Sequence, residues 1–329
     1  MKRTVALIYG GEGFEHEISI KGAKNISSWI DRSEYNLISV FISKSGEWFI
    51  DDGNRMIPTF PIFLYGKSGF FKNGEIIQTD VAIPLLHGNF GEDGTVCGAL
   101  STAHIRFIGC DVLAGAVCSD KIVTKLIADA LKIPTAKWLF SSEKFPDFIV
   151  EKAEAELGYP MYIKPSGLGS SIGISQVFNR EQFLSAYINS RRLCERILVE
   201  KKIYVKSELE CAYLEESGKK YFKIGRVFSD GGFYDFDRKY LTNTRTEAVC
   251  TDRNIEKTVT HFSEMLVSAL GIRQISRLDF FLSEDGKIIF NEINTLPGMT
   301  KTSLYPQLTV EMGFSEGEFI NRLISEALL

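Results

Sequence analysis

Short apolar runs alternate with amphipathic stretches along the first third of the chain. Strands separated by helices are typical of a parallel α/β sheet. Residues 45–79 are rich in Gly, Asp, Asn and Pro and predict an excursion from that sheet. Buried strands are predicted at 5–9, 37–43, 81–86 and 105–109, and helices at 17–29 and 95–104.

The rest of the chain predicts two more units, because single cores rarely grow beyond about 250 to 300 residues and this chain has 329. We expect domains at 1–118, 119–203 and 204–329. The second unit has predicted helices at 120–131 and 147–157 and strands at 136–140, 160–165 and 197–201. The third has predicted strands at 208–214 and 222–228, a helix at 255–270, a hairpin at 277–294 and a helix at 315–328.

The segment RLDFFLSEDGKIIFNEIN, residues 277–294, predicts two apolar strands joined by a turn. Asp285-Gly286 is a dipeptide favoured in two-residue type I′ hairpin loops, where both positions need positive φ. With these two residues as the loop, Glu284 pairs with Lys287. The same register then fixes every pair further along the two strands.

That register places four polar residues on one face of the hairpin. Asp279 lies opposite Glu292, and Arg277 lies opposite Asn294, because side chains alternate between faces along a strand. Opposed carboxylates repel, and carboxylate and amide oxygens are ligands that suit Mg²⁺. A magnesium site is therefore predicted, the alternative being a solvated face with scattered charges. The other face carries the predicted core residues Leu278, Phe280, Leu282 and Ile293.

Composition narrows the class of protein. Hydrophobic residues make up 44% and charged residues 24%, as in ordinary globular proteins. The net charge of −4 argues against a nucleic-acid binder, which would carry a basic patch. There is no apolar run of about 18 residues and no leader-like start at Met1, so we expect no membrane span and no secretory signal.

The spacing of the cysteines and histidines does not indicate a zinc site. The six cysteines show no Cys-x-x-Cys spacing, and the four histidines are scattered. With no leader in view, this pattern favours reduced thiols in a cytoplasmic protein and argues against a zinc site.

A glycine- and serine-rich loop follows a lysine in the predicted strand of PMYIKPSGLGSSIGIS, residues 160–175. Backbone amides and hydroxyls of such a loop can close over phosphates. It is not a Walker A loop, because the lysine precedes the glycines. Lys164 in an apolar strand needs an anionic partner if it is buried. Phosphate would supply one, although a plain Gly/Ser connection is the alternative.

Three other segments carry candidate polar side chains. His87, Glu92 and Asp93 lie in a loop after the predicted strand 81–86, and ligands of open α/β sheets collect at the carboxyl ends of strands. Glu15 stands at a predicted helix start, where an acid also complements the helix dipole. Lys121, in Ser-Asp-Lys, is either a functional cation or part of an N-terminal helix signal.

Together these stretches resemble the D-alanine–D-alanine ligase family of ATP-grasp enzymes. The motifs run in order through nearly the whole chain, which argues against coincidence. The resemblance implies an ATP-grasp fold, with an N-terminal Rossmann-like parallel-sheet domain and two α+β domains that sandwich ATP. The matching motifs are GGEGFEHEIS, LHGNFGEDGT, CSDK, YIKPSGLGSSIGIS, VEKKI, FYDFDRKY, RLDFFL and NEINTLPGMTKTSLYP.

The resemblance also implies roles for matching residues in nucleotide and metal binding. Two Mg²⁺ ions, or Mn²⁺ in their place, would accompany ATP. The implied metal ligands are Asp279, Glu292 and Asn294. The implied nucleotide ligands are Lys121, Lys164, Ser171 and Lys239 at the phosphates, Glu200 and Lys201 at the adenine, and Glu208 at the ribose, with Glu210 as the neighbouring candidate.

A second set of implied roles concerns the two amino acids. Glu15 would hold the ammonium of the first D-alanine, with Ser170 and Tyr240 as its hydrogen-bonded partners. Arg277 and the backbone of Gly298 would stabilise an oxyanion. Ser303 and Leu304 match the pocket for the second D-alanine, and His87 lines the substrate site.

The implied activity is ATP-dependent ligation of two D-alanines through an acyl phosphate, for peptidoglycan precursor synthesis. The loop 232–246 would close as a lid over the reaction. The family also suggests a homodimer formed through the N-terminal domain. Alternatives are a D-alanine–D-serine or other D-Ala–D-X ligase, another ATP-grasp carboxylate–amine ligase such as a glutathione-synthetase-like enzyme, and a nucleotide-binding regulatory module.

Overall fold

The computed structural model describes residues 2–227, 246–247, 249–315 and 317–329. Three main sheets follow one another along the chain, which agrees with the predicted α/β (α+β) class. Within the described residues, no helix combines the length and the apolar character needed to cross a membrane. The division into domains at 1–118, 119–203 and 204–329 stays a prediction.

The first unit is built on a six-stranded sheet whose central strands are parallel. Its order is β4-β3-β2-β1-β8-β9. In β1, four consecutive apolar residues are at most 1% exposed, as expected of a parallel strand covered on both faces. Its elements are β1 Arg3–Gly10, α1 His16–Trp29, β2 Tyr35–Ile42, β3 Trp48–Asp51, β4 Met56–Pro58, β5 Pro61–Leu64, β6 Lys67–Lys72, β7 Glu75–Gln78, β8 Val81–Leu85, α2 Thr95–Thr102, β9 Arg106–Phe107 and α3 Val112–Ser119.

The predicted excursion at 45–79 contains regular structure. β3 and β4 extend the main sheet by antiparallel pairing, and β5, β6 and β7 form a separate three-stranded sheet. The many turn residues in this segment mark the tight connections between short strands. The prediction of an excursion is therefore confirmed for β5 to β7 only.

The second unit is a four-stranded antiparallel sheet of order β10-β13-β11-β12. Asp120 caps the first helix by accepting hydrogen bonds from the backbone N–H groups of Ile122 (2.9 Å) and Val123 (3.2 Å). This cap is the helix signal seen in the Ser-Asp-Lys segment. The elements are α4 Lys121–Ala130, β10 Trp138–Ser141, α5 Asp147–Glu156, β11 Met161–Pro165, β12 Ser175–Val177, α6 Arg180–Arg191 and β13 Ile197–Lys201.

The third unit is a five-stranded antiparallel sheet of order β16-β15-β14-β17-β18. One buried cluster joins β1, β8 and α1 of the first unit to β14 and the last two helices, so the first and third units share a core. The elements are β14 Val205–Glu216, β15 Lys219–Val227, β16 Thr246–Glu247, α7 Arg253–Leu270, β17 Ile275–Ser283, β18 Ile288–Asn294, α8 Leu304–Glu311 and α9 Glu318–Ala327.

The hairpin of β17 and β18 has a longer loop than predicted. Ser283, rather than Glu284, pairs with Lys287, through a 3.0 Å bond from its N–H to the Lys287 carbonyl. The loop therefore consists of the three residues 284–286. All three are described, and among them only Gly286 has a positive φ, of 81°. The predicted two-residue type I′ loop is wrong.

The predicted register at the polar face is nevertheless confirmed. Asp279 pairs with Glu292 and Arg277 pairs with Asn294, because the ladder shifts by one residue between Asp279 and Phe280. The extra residue at this bulge is Asn291, and it compensates for the extra residue in the loop. The core face is also confirmed, since Leu278, Phe280, Leu282 and Ile293 are all buried.

Two adjacent phenylalanines test this assignment of faces. Phe280 is fully buried against Phe290, with ring centroids 5.6 Å apart, whereas Phe281, on the polar face, is only partly buried. We expect Phe280→Ala to lower the free energy of unfolding by about 3–5 kcal/mol. Phe281→Ala should cost much less stability, because its side chain is already partly exposed. Urea unfolding measures both effects, and equal destabilisation by the two variants would contradict the register.

Candidate active site

A cleft of about 360 Å³ lies between the four-stranded and the five-stranded sheets. Its walls come from β11, β13 and the Gly/Ser loop on one side and from β14, β17 and β18 on the other. The structure thus brings together residues that are far apart in sequence. The predicted site residues that line it are Lys121, Lys164, Ser170, Ser171, Glu200, Lys201, Glu208, Asp279 and Glu292.

One wall of the cleft contains a buried carboxylate between two lysines. Glu200 forms ion pairs with Lys164 and, at 2.5 Å, with Lys125. Burial raises the pKa of Glu200, but the two ammonium groups outweigh it and bring the pKa down to about 2. Glu200 is therefore ionised, and both lysines have a partner that makes their burial tolerable.

Lys121 connects the two walls. Its ammonium donates to the backbone carbonyl of Leu168 in the Gly/Ser loop at 2.8 Å and lies 3.2 Å from Glu292 on β18. Its position at the start of α4, set by the Asp120 cap, carries this cation into the cleft. The functional interpretation of Lys121 is therefore favoured over a solvated charge, since the residue is 8% exposed.

The Gly/Ser loop adopts an unusual backbone conformation. Ser170 and Ser171 both have positive φ, at 51° and 58°, a region that side chains other than glycine rarely occupy. Such strain is found at ligand-binding loops. The loop also approaches the first unit, because a Cβ atom on Gly169 would lie 3.6 Å from Glu15 Oε2. Glu15 and the loop segment that carries Ser170 are thus near each other.

The polar face of the hairpin forms the opposite wall. Asp279 receives two bonds of 2.7 Å from the Arg277 guanidinium and one of 3.0 Å from the Asn294 amide. Arg277 also lies 3.4 Å from Glu210 on the neighbouring strand. The repulsion expected between the opposed acids Asp279 and Glu292 is therefore balanced by fixed cations.

This donor set fits magnesium. Among the described residues there is no group of three or more His, Cys, Asp or Glu side chains arranged to hold a metal. Mg²⁺, however, is usually bound through one or two carboxylates, with waters and substrate phosphates completing its shell. Asp279 and Glu292, with the Asn294 amide beside them, match that requirement in a cleft that also presents lysines for phosphates.

A second polar group lies beside the cleft, at the end of β8. His87 Nδ1 is 3.0 Å from the Leu296 carbonyl, and its Nε2 is buried with no hydrogen-bond partner among the described residues. Burial lowers the pKa of His87. Glu92 Oε2 accepts a 3.0 Å bond from the Gly88 N–H, and burial, reinforced by the charge of Glu15, raises the pKa of Glu92 to about 8.

The residues predicted for the second amino acid are packed into the protein. Leu304 is 7% exposed and rests against β15, where a Cβ atom on Gly225 would lie 2.4 Å from its Cδ2. Ser303 accepts a 3.1 Å bond from the Thr300 N–H, and a Cβ atom on Gly298 would lie 2.9 Å from its hydroxyl. Gly298 and Ser303 are thus adjacent, and Leu304 packs against Gly225 on β15.

Lys239, Tyr240 and most of the proposed lid at 232–246 lie outside the described residues. No role in charge pairing was predicted for Lys125 or Glu210. Lys125 stands four residues after Lys121 on α4, a spacing that puts both on one helix face. That spacing is the signal by which Lys125 could have been found.

The raised pKa of Glu92 predicts a pH-dependent effect on stability. A carboxyl whose pKa is higher in the folded than in the unfolded state favours folding at low pH, and this contribution is lost as pH rises. Glu92→Gln keeps the oxygen that accepts from Gly88 but cannot ionise. We expect its melting temperature, relative to the unmodified protein, to rise between about pH 5 and about pH 9.

The control for this prediction is Glu311→Gln, which removes the same charge at an exposed position. Its difference from the unmodified protein should stay nearly constant over that pH range. A pH-independent difference for Glu92→Gln would show that Glu92 is ionised in the folded protein.

Known protein families and proteins match nearly the whole chain. The family models described as D-ala D-ala ligase N-terminus and C-terminus match residues 4–110 and 127–325. A D-alanine–D-alanine ligase of Oceanobacillus iheyensis is 33% identical over 351 residues, covering 100% of this chain and 96% of that protein. One from Deinococcus radiodurans is 34% identical over 338 residues, covering 100% and 99%.

Solved structures show the same similarity. D-alanyl-alanine synthetase A from Vibrio cholerae superposes with a TM-score of 0.89 at 30% identity, covering 99% of this chain and 98% of that one. The VanG D-Ala:D-Ser ligase from Enterococcus faecalis also gives 0.89, at 29% identity, with coverage of 99% and 100%. The fold is therefore the ATP-grasp fold, and the chain belongs to the D-alanine–D-alanine ligase family.

Proposed function

We propose that this chain joins two D-alanine molecules into D-alanyl-D-alanine at the expense of ATP, through an acyl phosphate, as a step in making peptidoglycan precursors. The observation that carries this proposal is the cleft itself. Lysines from one wall and the acid-bearing hairpin from the other converge on one cavity. Membership of the ligase family supports the same reaction.

In the first step the γ-phosphoryl group of ATP would pass to the carboxylate of the first D-alanine. Proteins catalyse such transfers mainly by positioning and by stabilising charge on the phosphoryl oxygens. Lys121 and Lys164 supply fixed positive charge within the cleft. Ser170 and Ser171, in the strained loop that lines the cleft, would offer N–H groups and hydroxyls to the phosphates.

We propose two Mg²⁺ ions, which Mn²⁺ could replace, held by Asp279, Glu292 and Asn294 together with the nucleotide. Bound there, magnesium would neutralise charge on the phosphates. The same residues make ion pairs and hydrogen bonds within the protein. The Arg277 and Lys121 contacts would therefore have to loosen in part when metal enters.

For the second step, the amine of the second D-alanine would attack the acyl phosphate, and phosphate would leave. An oxyanion then develops at the former carboxyl carbon, and donors aimed at it are each worth about 10² to 10³ in rate. Arg277 is 9% exposed and held by two bonds to Asp279. Arg277 would act there together with the N–H of Gly298.

Substrate positions are proposed from the remaining groups. Glu15 would hold the ammonium of the first D-alanine beside Ser170, with His87 lining the pocket. For the second amino acid, the apolar Leu304 favours D-alanine over D-serine, although an apolar wall rejects an added hydroxyl by only about 10². The similarity to a D-Ala:D-Ser ligase keeps D-serine as the second candidate acceptor.

The product of the reaction tests this function. Purified protein is given ATP and Mg²⁺ with D-alanine, D-serine or both, and the products are identified by mass spectrometry. We expect D-alanyl-D-alanine as the main product and ADP release that requires D-alanine. ADP release without D-alanine would indicate another carboxylate–amine ligase, and a mainly mixed dipeptide would indicate a D-Ala–D-Ser ligase.

Glu292→Gln tests the metal assignment. The variant keeps the shape of the side chain but loses the negative charge, so we expect turnover to fall by at least about 10² while the protein stays folded. Asp285→Asn, at the exposed tip of the same hairpin, is the matched control and should retain full activity. An unchanged rate for Glu292→Gln would remove Glu292 from the metal site.

We also propose a cytoplasmic homodimer. The reaction uses ATP, which supports the cytoplasm as its location.

Apolar side chains exposed on the first unit support dimer formation through that unit, with Phe63 46%, Leu64 41% and Tyr65 92% exposed. Sedimentation velocity should show a particle of twice the chain mass, and Tyr65→Glu should shift it towards the monomer. A monomer at all concentrations would contradict the proposal.

A further inference from the structure

The carboxylate of Glu200 is divided between two lysines. Its Oε1 faces the Lys125 ammonium from α4 at 2.5 Å, and its Oε2 faces the Lys164 ammonium from β11. The side chains of Lys125 and Glu200 are only 2% and 4% exposed, and that of Lys164 is 10% exposed. The group thus holds one more positive than negative charge in a nearly dry part of the cleft.

An excess of positive charge in such a place is costly unless an anion joins it. Without Lys125, both oxygens of Glu200 could turn to Lys164, and the pair would be neutral. An ammonium that is fully neutralised by its own carboxylate attracts a phosphate much less than one that shares the carboxylate with a second cation. Lys125 therefore strengthens the attraction of the Lys164 ammonium for a phosphate.

We propose that Lys125 is a positioning residue for nucleotide binding, which acts through Glu200 to leave the charge of Lys164 available to the phosphates. The proposal rests on the nucleotide binding proposed above. Lys125 reaches from α4 to Oε1 of the carboxylate while Lys164 holds Oε2, so Lys125 fixes the orientation of Glu200 as well as its charge.

The charge balance also predicts which variants fold. Lys125→Met leaves the neutral pair of Lys164 and Glu200, so we expect a folded protein with a melting temperature close to the original. Glu200→Gln leaves two buried ammonium groups without a carboxylate, which is strongly destabilising. Adding Lys125→Met to Glu200→Gln should then recover part of the lost melting temperature.

Calorimetric titration with ADP and with adenosine tests the role in binding. Both ligands carry the same base and sugar, but only ADP carries phosphates. We expect Lys125→Met to weaken ADP binding by about tenfold and adenosine binding by less than about twofold. Lys152→Met, which removes the same charge at an exposed position of α5, is the control and should change neither affinity. Lys125→Arg should restore most of the ADP affinity.

Several outcomes would overturn the inference. Equal weakening of ADP and adenosine would mean that Lys125 only shapes the pocket, and unchanged ADP affinity would remove its role. A Lys125→Met protein that does not fold would contradict the expected charge balance. The proposed function is tested separately, by the products that the unmodified protein forms. The role of Lys125 is tested by the affinities of the variants for ADP and adenosine.

Discussion

Charge balance in a cleft with little access to water is the constraint on which this structure depends. Several kcal/mol are lost for each ion buried without a partner, yet both walls of the cleft carry ionised groups. On one wall Glu200 is held by Lys125 and Lys164, and on the other Asp279 is held by Arg277. Lys121 reaches across from the first wall to Glu292 on the second. The two sheets are therefore tied together by the same groups that are proposed to bind ATP and magnesium.

This arrangement explains why one cleft could serve both halves of a ligation. Cations on the Gly/Ser side and acids on the hairpin side are complementary, and an ATP–magnesium complex presents both kinds of partner. Ion pairs and hydrogen bonds within the protein hold these groups near one another, and the contacts of Arg277 and Lys121 would loosen in part to admit the metal. The buried His87 and the half-buried Glu92 extend this polar zone towards the first unit, where the first amino acid would lie.

The hairpin shows how far sequence could predict the site. The alternation of polar and apolar residues fixed the faces, and the pairing of Asp279 with Glu292 is confirmed. The predicted loop was one residue too short, and a bulge at Asn291 compensated for the difference. A bulge leaves no clear mark in a single sequence. Its effect here is seen at Phe290, which pairs with Phe280 and is buried in the core. The correct register thus depended on two irregularities that offset each other.

Other elements were missed for identifiable physical reasons. The residues of α3 are nearly all apolar or small, and periodicity cannot distinguish a short helix from a strand in such a run. The strands at 48–78 are short and separated by turn residues, so composition suggested an irregular segment. The pairing of Lys125 with Glu200 joins two elements far apart in the chain, and only the fold brings them together.

The most direct test of the account is the position of a metal ion in crystals grown with ADP and Mn²⁺. Anomalous scattering from manganese locates the ion without assumptions about its ligands. We predict a peak between the Asp279 and Glu292 carboxylates and the nucleotide phosphates. A peak elsewhere in the protein, or an ADP-bound cleft whose hairpin carboxylates contact no ion, would contradict the account.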